Sequence, residues 1–240
     1  AMKDGTAKVV VGTHAILADD LAFDDLALVI IDEEQRFGSE QKAAMRGLAE
    51  GVHILTMTAT PIPRTLVLTH FGDMDVSVLR EKPAGRQPID TATLPISEYE
   101  RVVGRLASRL AEGAQAYWVC PLVEESEVSN LTAAEDRFKR LRAALGEGVV
   151  GLVHGQMPPA EKDAAMRAFQ AGETKVLVAT TVIEVGVDVP NATIMVVERA
   201  EIFGLAQLHQ LRGRVGRGEG ASTCLLMYQA PLSETGRQRL

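Results

Sequence analysis

Short and almost continuous runs of Val, Ile and Leu recur along the chain, and they constrain its fold more than any other feature. Strands with one solvated face alternate apolar and polar residues, whereas strands covered on both faces do not. Amphipathic, helix-like segments separate the later runs, which indicates an α/β protein. We therefore predict parallel sheets flanked by helices. The runs are AKVVV near Val10, LALVII near Ile30, HILTM near Leu55, AYWVC near Trp118, VVGLV near Leu152, KVLVA near Val178, TIMVV near Val196 and CLLMY near Leu226.

Three of the intervening segments are amphipathic, and two of them carry helix-boundary signals. SEYERVVGRLASRLAEG begins with Ser97 as the predicted N-cap and ends at Gly113 as the predicted C-cap. PPAEKDAAMRAFQAG has a proline near its start and Gly172 after its end, which is the usual asymmetry of helix ends. The third predicted helix lies in LTAAEDRFKRLRAALGEG.

The segment EKPAGRQPI, residues 81–89, has the composition of a linker, with two prolines, a glycine and several charges. It predicts one domain over residues 1–82 and another over 83–240. The first piece holds three apolar runs, fewer than a complete doubly wound domain, so we expect it to be the second half of one. An incomplete sheet leaves an unpaired edge, and we expect this piece to promote self-association.

Composition and charge exclude several classes of protein. A hydrophobic content of 46% and a charged content of 24% are ordinary for a globular chain. The net charge of -7 argues against tight DNA binding by this chain alone, because phosphate neutralisation supplies most of that affinity. No apolar run approaches the ~20 residues of a membrane span. Cys120 and Cys224 each lie in a strand-like run, which predicts buried thiols and a reducing cytoplasm.

An acidic cluster follows the second apolar run. The run ends at Ile31 and leads at once into Asp32, Glu33, Glu34 and Gln35. Ligands of open α/β sheets bind beyond the carboxyl ends of strands, where one carboxylate can hold Mg²⁺ and a second can orient an attacking water. A solvated acidic turn would have the same sequence, and this segment alone does not decide between the two.

An arginine-rich segment lies near the C-terminal end, in QLHQLRGRVGRGEG. A guanidinium is always charged and matches phosphate oxygens, and from a second domain it can stabilise a transferring phosphoryl group. A surface basic cluster is the alternative, but three interleaved glycines are unusual on a solvated helix. The residues of interest are Gln207, Gln210, Arg212, Gly213, Arg214, Gly216, Arg217 and Gly218.

Two further strand ends and one histidine are weaker candidates. LTMTATPIPRT places Thr58 and Thr60 after a strand, where small hydroxyl residues can relay contacts to a moving domain, although a proline-fixed turn is the better explanation of this segment taken alone. VATTVIEVGVDVP is equally weak in isolation. His14 follows the first apolar run and could face nucleic acid, whereas the other four histidines show no metal-ligand spacing.

The phosphate-cradling sequence G-x-x-x-x-G-K-[ST] does not occur in the chain. We therefore interpret the sequence as a piece of a hydrolase taken after its cradle, and we expect it to hydrolyse no ATP by itself. A cradle-less DNA-binding or regulatory module is the alternative, and the reading frame upstream of Ala1 would distinguish the two.

In order and spacing these segments resemble the motifs of superfamily 2 helicases. THAIL resembles the DNA-contacting motif Ib, DEEQ the Walker B box, TAT motif III, TTVIEVGVDVP motif V, and QLRGRVGR motif VI. DEEQRFG, MTATPIPRTL, QAYWVCPLVEESE and HGQM extend the resemblance to RecG-like helicases over nearly the entire chain. The resemblance implies RecA-like parallel sheets, with one partial lobe that lacks Walker A and one complete helicase C-terminal lobe that ends at the start of a translocation hairpin.

The resemblance also implies an activity and roles for single residues. Asp32 would coordinate Mg²⁺ through water, Glu33 would activate the hydrolytic water, and Gln35 would couple nucleotide state to DNA contact. Arg214 and Arg217 would reach the γ-phosphate, with Arg217 as the arginine finger. The remaining implied roles are nucleotide binding for Gly186, Asp188, Gln210 and Gly213, coupling for Thr58 and Thr60, and DNA contact for Thr13, His14, Thr180 and Thr181.

The implied parent is a monomeric, ATP- and Mg²⁺-dependent enzyme of the bacterial cytoplasm and nucleoid that remodels branched double-stranded DNA. A transcription-repair coupling translocase has a similar motor, but QAYWVCPLVEESE favours the RecG-like interpretation. The chain departs from the RecG-like pattern where it reads Asp-Glu-Glu-Gln instead of Asp-Glu-Gln-His. Both catalytic carboxylates are kept, and the role of Gln35 is the one placed in doubt.

Overall fold

The fold is that of a computed structural model, which describes residues 6–17, 23, 25–33, 38, 51–58, 75–79, 81, 87–121, 127–180, 189–218 and 220–240. The chain divides into two compact units, Ala1–Val78 and Leu79–Leu240. The linker predicted at residues 81–89 lies just beyond this division.

The first unit contains a two-stranded parallel sheet. Strand β1 spans Leu28–Asp32 and β2 spans His53–Met57, with Asp32 opposite Met57. A 3-10 turn covers His14–Leu17. The strand predicted at AKVVV is wrong, because residues 7–11 form none, and Val9 and Val11 are exposed. A strand needs a partner, and in the described part of this unit β1 and β2 pair with each other.

The second unit is a six-stranded parallel sheet with strand order β3-β8-β7-β4-β6-β5. This confirms the predicted parallel α/β architecture. Its elements are β3 (Ile89–Pro95), α1 (Tyr99–Ala111), β4 (Gln115–Cys120), α2 (Glu127–Leu145), β5 (Val150–Val153), α3 (Pro159–Gln170), β6 (Val176–Thr180), β7 (Ala192–Val197), α4 (Leu205–Arg212), β8 (Ser222–Tyr228) and α5 (Glu234–Arg239). Short 3-10 turns cover Ile96–Glu98 and Ala200–Ile202.

Helices cover both faces of this sheet, and β4 runs through its centre with all six residues buried. Trp118 of β4 packs in the core on the face that carries α1 and α2. Tyr117 packs on the opposite face with Phe169 of α3 and Leu208 of α4. Since successive side chains of a strand alternate between faces, a strand buried on both sides must be apolar throughout.

The predicted helix ends are partly right. Gly113 and Gly172 follow α1 and α3 in left-handed conformations (φ 94° and 74°), as C-terminal glycines do. Ser97 is not the N-cap of α1, because it lies within the 3-10 turn Ile96–Glu98, and α1 begins at Tyr99 without a side-chain cap. The 3-10 turn leads directly into α1, so the Ser97 hydroxyl is not needed to cap the start of the helix.

Strand β3 was not predicted from the sequence. It pairs with β8 at the sheet edge, where it is only partly covered, so its sequence IDTATLP mixes polar and apolar residues. Pro88, directly before this strand, belongs to the predicted linker at residues 81–89. Threonine enrichment was the available signal, since β-branched residues favour strands.

Both cysteines are buried and free, which confirms the expectation of buried thiols. Burial raises the pKa of the Cys224 thiol to about 12. Burial also raises the pKa of Cys120, and the nearby Glu198 carboxylate raises it further. Both thiols therefore stay protonated at neutral pH.

Within the described part of the chain, we find no helix with the length and apolar character to cross a lipid bilayer.

Candidate functional site

Three predicted site residues meet at one edge of the first unit. Asp32 is the last residue of β1, Glu33 follows it, and Thr58 follows β2. Because β1 and β2 are parallel and Asp32 lies opposite Met57, Glu33 and Thr58 both lie at the carboxyl edge. Asp32 is exposed, and the other two are half-buried. This is the edge at which α/β sheets bind ligands.

The backbone of Glu33 is held in an uncommon conformation. Its φ is 55°, in the left-handed region that non-glycine residues rarely adopt. Its N–H donates to the Met57 carbonyl at 3.0 Å, which ties the carboxylate-bearing turn to β2. Such strain costs on the order of 1–3 kcal/mol and clusters at functional sites.

Other predicted residues fall outside the described structure. They are Gln35, Thr60, Thr181, Gly186 and Asp188.

The predicted DNA-contact residues Thr13 and His14 lie at the 3-10 turn of the first unit. Thr13 is exposed, and its carbonyl accepts from the Ile16 N–H at 3.1 Å. The backbone of His14 begins the turn, and its side chain is outside the described structure. Thr180, by contrast, ends β6 in the second unit and is buried, so little of its own side chain is available to a ligand.

The arginine-rich segment forms helix α4 and the turn after it, residues 213–218. The turn is hydrogen-bonded back to the helix, since the N–H groups of Gly213 and Arg214 donate to the carbonyls of His209 and Leu211 at 3.0 Å. Val215 is fully buried in the core between two arginines. Arg214 is half-buried and Arg217 is exposed. The buried Val215 therefore holds the turn in the core, and Arg217 extends from it into solvent.

The remaining polar residues of this segment have varied surroundings. Gln207 is exposed, and its Oε1 accepts from the Gly204 N–H at 3.0 Å, which closes the first turn of α4. Gln210 and Gly213 are half-buried. Arg212 contacts His209 Nδ1 at 3.0 Å and so belongs to the helix surface.

Two glycines allow the arginine turn to pack against the sheet. A Cβ on Gly216, whose φ is 76°, would lie 2.9 Å from Ile89 Cγ1, and a Cβ on Gly218 would lie 2.8 Å from the Pro190 carbonyl oxygen. Ile89 is the first residue of β3, and Pro190 precedes β7. The turn therefore lies at the amino edge of the six-stranded sheet, opposite the edge at which Thr180 ends β6.

Replacing Gly216 by alanine is expected to destabilise the chain by about 1–3 kcal/mol, because the new methyl group meets Ile89 and the left-handed backbone becomes strained. Gly104 in α1 is the matched control, since a Cβ added there would meet no other atom within 4 Å and alanine favours helices. Urea unfolding measures both. An unchanged free energy of unfolding for Gly216→Ala would contradict the packing described for the turn.

A buried polar cluster lies at the carboxyl edge of the second unit. The Glu198 carboxylate, just past β7, accepts from Trp118 Nε1 at 2.5 Å and from Arg137 Nη2 at 2.9 Å. Burial alone would lower the pKa of the Arg137 guanidinium, but the hydrogen bond and charge of Glu198 raise it above its ordinary value. The guanidinium therefore keeps its charge inside the protein.

The sequence interpretation missed this cluster. The available signal was a carboxylate directly after a buried apolar run, the same signal that identified Asp32. The partner could not be found in that way, because Arg137 lies 61 residues from Glu198 on a helix with many charged residues.

Comparisons with known proteins agree with these features. The helicase conserved C-terminal domain matches residues 98–219, about half of the chain, and the DEAD/DEAH box helicase family matches residues 1–68. The chain is 53% identical to the ATP-dependent DNA helicase RecG of Escherichia coli K12 over 245 residues, which is 100% of this chain and 35% of the relative. RecG of Bacillus subtilis is 50% identical over 237 residues, with 98% and 35% covered.

Solved structures give the same result. RecG bound to a three-way DNA junction is similar with a TM-score of 0.75 and 40% identity, over 99% of this chain and 30% of that chain. Yeast Dbp5 bound to RNA and ADP BeF3 has a TM-score of 0.63 at 15% identity, over 89% of this chain and 55% of that one, and shows the fold alone. The chain spans about a third of the length of the curated relatives it matches. It belongs to the family of helicases with the conserved C-terminal domain, and over its whole length it is similar to RecG.

Proposed function

We propose that the chain is the rear portion of the ATP-driven motor of a RecG-like helicase that remodels branched double-stranded DNA. The observation that carries this proposal is the placement of Asp32 and Glu33 at the carboxyl end of a parallel strand, beside Thr58. Two carboxylates at such an edge suit the hydrolysis of a Mg²⁺-bound nucleotide.

Asp32 fits a Mg²⁺ ion, because its exposed carboxylate offers the oxygen ligands that this cation prefers and leaves room for the bound waters that it keeps. The ion would neutralise phosphate charge. Glu33 would orient and deprotonate the attacking water, and its tie to β2 holds the carboxylate-bearing turn in place. Thr58 and Thr60 would transmit the state of this site to DNA contacts.

The second lobe would contribute the positive charges and the remaining nucleotide contacts. Arg217 would supply a guanidinium to the γ-phosphate, with Arg214 beside it. The buried Val215 between them supports this role, since it limits how far the turn can move. The other proposed nucleotide contacts are Gly186, Asp188, Gln210 and Gly213.

DNA would be held at different positions from the nucleotide. The proposed contacts are Thr13 and His14 in the first lobe, Thr180 at the carboxyl edge of the second, and Thr181, the next residue in the sequence. Thr180 lies at the sheet edge opposite the arginine turn, which supports a division of the second lobe into a nucleotide side and a DNA side.

The similarity to RecG favours branched DNA over the substrate of a transcription-repair coupling translocase. The solved relative is bound to a three-way junction, and the curated relatives are DNA helicases at about 50% identity. We place the activity in the bacterial cytoplasm, on the nucleoid.

The test is an ATPase assay on the full-length product of the reading frame that contains this chain, without DNA, with linear duplex and with a three-way junction. We expect the junction to stimulate turnover most. Absence of stimulation by any DNA would refute the motor assignment, and preference for linear duplex together with RNA polymerase binding would favour the coupling translocase. The 240-residue chain alone should not turn over ATP, because it contains no G-x-x-x-x-G-K-[ST] sequence.

A further inference from the structure

One buried carboxylate joins three elements of the second unit. Glu198 follows β7 and is only 7% exposed. Its oxygens accept from Trp118 of β4 at 2.5 Å and from Nη2 of Arg137, on α2, at 2.9 Å, and Arg137 Nε also contacts it. The Glu198 N–H donates to the Val119 carbonyl at 2.9 Å, so its backbone and side chain are both fixed to β4.

Helix α1 is attached to the same cluster through Tyr99. The Arg137 guanidinium lies 4.3 Å from the centre of the Tyr99 ring, within reach of a cation–π interaction. The Tyr99 and Trp118 rings meet edge to face, with centroids 5.7 Å apart. The carboxylate therefore fixes β4, β7 and α2 directly and α1 through Arg137 and Trp118.

Stability alone does not explain a charged pair at this place. The free-energy cost of removing two charges from water offsets much of their mutual attraction, and apolar residues of similar volume often give a more stable protein. A carboxylate that accepts from both Trp118 and Arg137 is directional, however, and it holds its neighbours in one arrangement. The cluster is thus better suited to fixing geometry than to adding stability.

The strand register relates this cluster to the carboxyl end of β6. Cys120 pairs with Thr180 across β4 and β6, and Val119 pairs with Val197 across β4 and β7, so Glu198 follows in register beside Cys120. Glu198 and Thr180 are two strands apart, about 10 Å at the usual strand spacing. Both lie at the carboxyl edge, where the proposed DNA contacts begin.

We propose that Glu198 is a positioning residue, which acts through Trp118 and Arg137 to hold the carboxyl edge of the second lobe in the arrangement that binds DNA. This inference rests on the proposed function, and it adds two residues, Glu198 and Arg137, that touch neither DNA nor nucleotide.

The test uses the full-length product of the reading frame, three single variants and one double variant, Glu198→Gln with Arg137→Met. Glu198→Gln removes the charged acceptor, and Arg137→Met removes the donor while keeping much of its volume. Glu112→Gln is the matched control, because it breaks an ion pair with Arg109 that is exposed to solvent. The measured quantities are the DNA concentration for half-maximal ATPase, the KM for ATP and kcat at saturating DNA.

We expect Glu198→Gln and Arg137→Met each to raise the half-maximal DNA concentration about tenfold, and the double variant to be no worse than either single one, because both break one link. The KM for ATP and kcat should stay within about twofold of the parent, as the arginine turn lies at the opposite sheet edge.

Charge effects alone predict a different pattern. Loss of a negative charge at Glu198 would strengthen DNA binding, and loss of a positive charge at Arg137 would weaken it. Equal or tighter DNA binding by a folded Glu198→Gln variant overturns the proposal. A variant that shows a higher KM for ATP, a lower kcat and a weaker DNA affinity together also overturns it, since that pattern indicates general structural damage.

Trp118 offers an independent readout, because it is the single tryptophan of the chain. In the 240-residue chain, Glu198→Gln should shift its fluorescence emission, and Glu112→Gln should not. Absence of a shift would mean that the contact does not form in solution, which overturns the proposal. If Glu198→Gln does not fold, Arg137→Lys carries the same test, since it keeps the charge and loses the second donor.

Failure of the inference and failure of the proposed function give different results. A parent protein without DNA-stimulated ATPase refutes the function and the inference together. A parent with normal stimulation, and variants that match it, refutes the positioning role alone.

Discussion

Substitution of Glu33 by glutamine is expected to lower ATP turnover of the full-length protein by roughly 10²–10⁴-fold, the usual contribution of a positioned general base. The amide has nearly the same shape as the carboxylate but does not accept a proton from the attacking water. Nucleotide binding should persist, because Asp32, the proposed Mg²⁺ ligand, is unchanged. Single-turnover hydrolysis and binding of a fluorescent nucleotide measure the two effects separately.

The control for this variant is Asp25→Asn. Asp25 is an exposed carboxylate that lies before β1, whereas Glu33 follows its carboxyl end. The control removes the same charge at the wrong end of the strand, and we expect it to leave turnover unchanged. Normal hydrolysis by Glu33→Gln would show that another group activates the water, and loss of nucleotide binding would show that Glu33 holds the nucleotide.

The features that sequence predicted well depend on local signals. β4 is apolar at nearly every position because helices cover both of its faces, so its run was visible without knowledge of its neighbours. Asp32 and Glu33 follow the apolar run of β1 directly, and parallel pairing with β2 brings them to the same edge as Thr58. For these residues, the position in sequence relative to a strand end already fixes the position in space.

The features that sequence missed depend on pairing over long distances. β3 is a strand because β8 lies beside it, more than 120 residues later, and AKVVV is not one because it has no partner in the described part of its unit. The Arg137–Glu198 pair joins a helix to a strand end in the same way. Only the folded chain brings such residues together, and their local composition carries little of that information.

The location of the arginine turn within the fold also does not follow from its local sequence. α4 starts near the carboxyl end of β7 and runs back to the start of β8, which brings Arg214 and Arg217 to the amino edge. The segment that ends β6 lies at the other edge. The proposed finger arginines and the proposed DNA contact Thr180 therefore lie at opposite edges of this sheet, and this arrangement allows separate tests of the two proposed roles.

Substitution of Arg217 by alanine is expected to lower kcat by roughly 10³–10⁵-fold, the range known for arginine fingers in phosphoryl transfer. Arg217 is exposed, so the variant should unfold at the same temperature as the parent. Arg217→Lys should recover only part of the activity, because an ammonium keeps the charge and loses the planar fork that matches phosphate oxygens. Steady-state ATPase assays at saturating DNA give kcat for the parent, for Arg217→Ala and for Arg217→Lys.

Two further variants decide which arginine acts. Arg167→Ala removes an exposed arginine from α3, outside the proposed site, and should leave kcat unchanged. Arg214→Ala should cost less than Arg217→Ala, because Arg214 is half-buried against the turn, whereas Arg217 projects beyond the buried Val215. If Arg214→Ala instead abolishes turnover and Arg217→Ala stays within tenfold of the parent, the finger is Arg214. If neither variant loses activity, the arginine turn does not reach the phosphates at all.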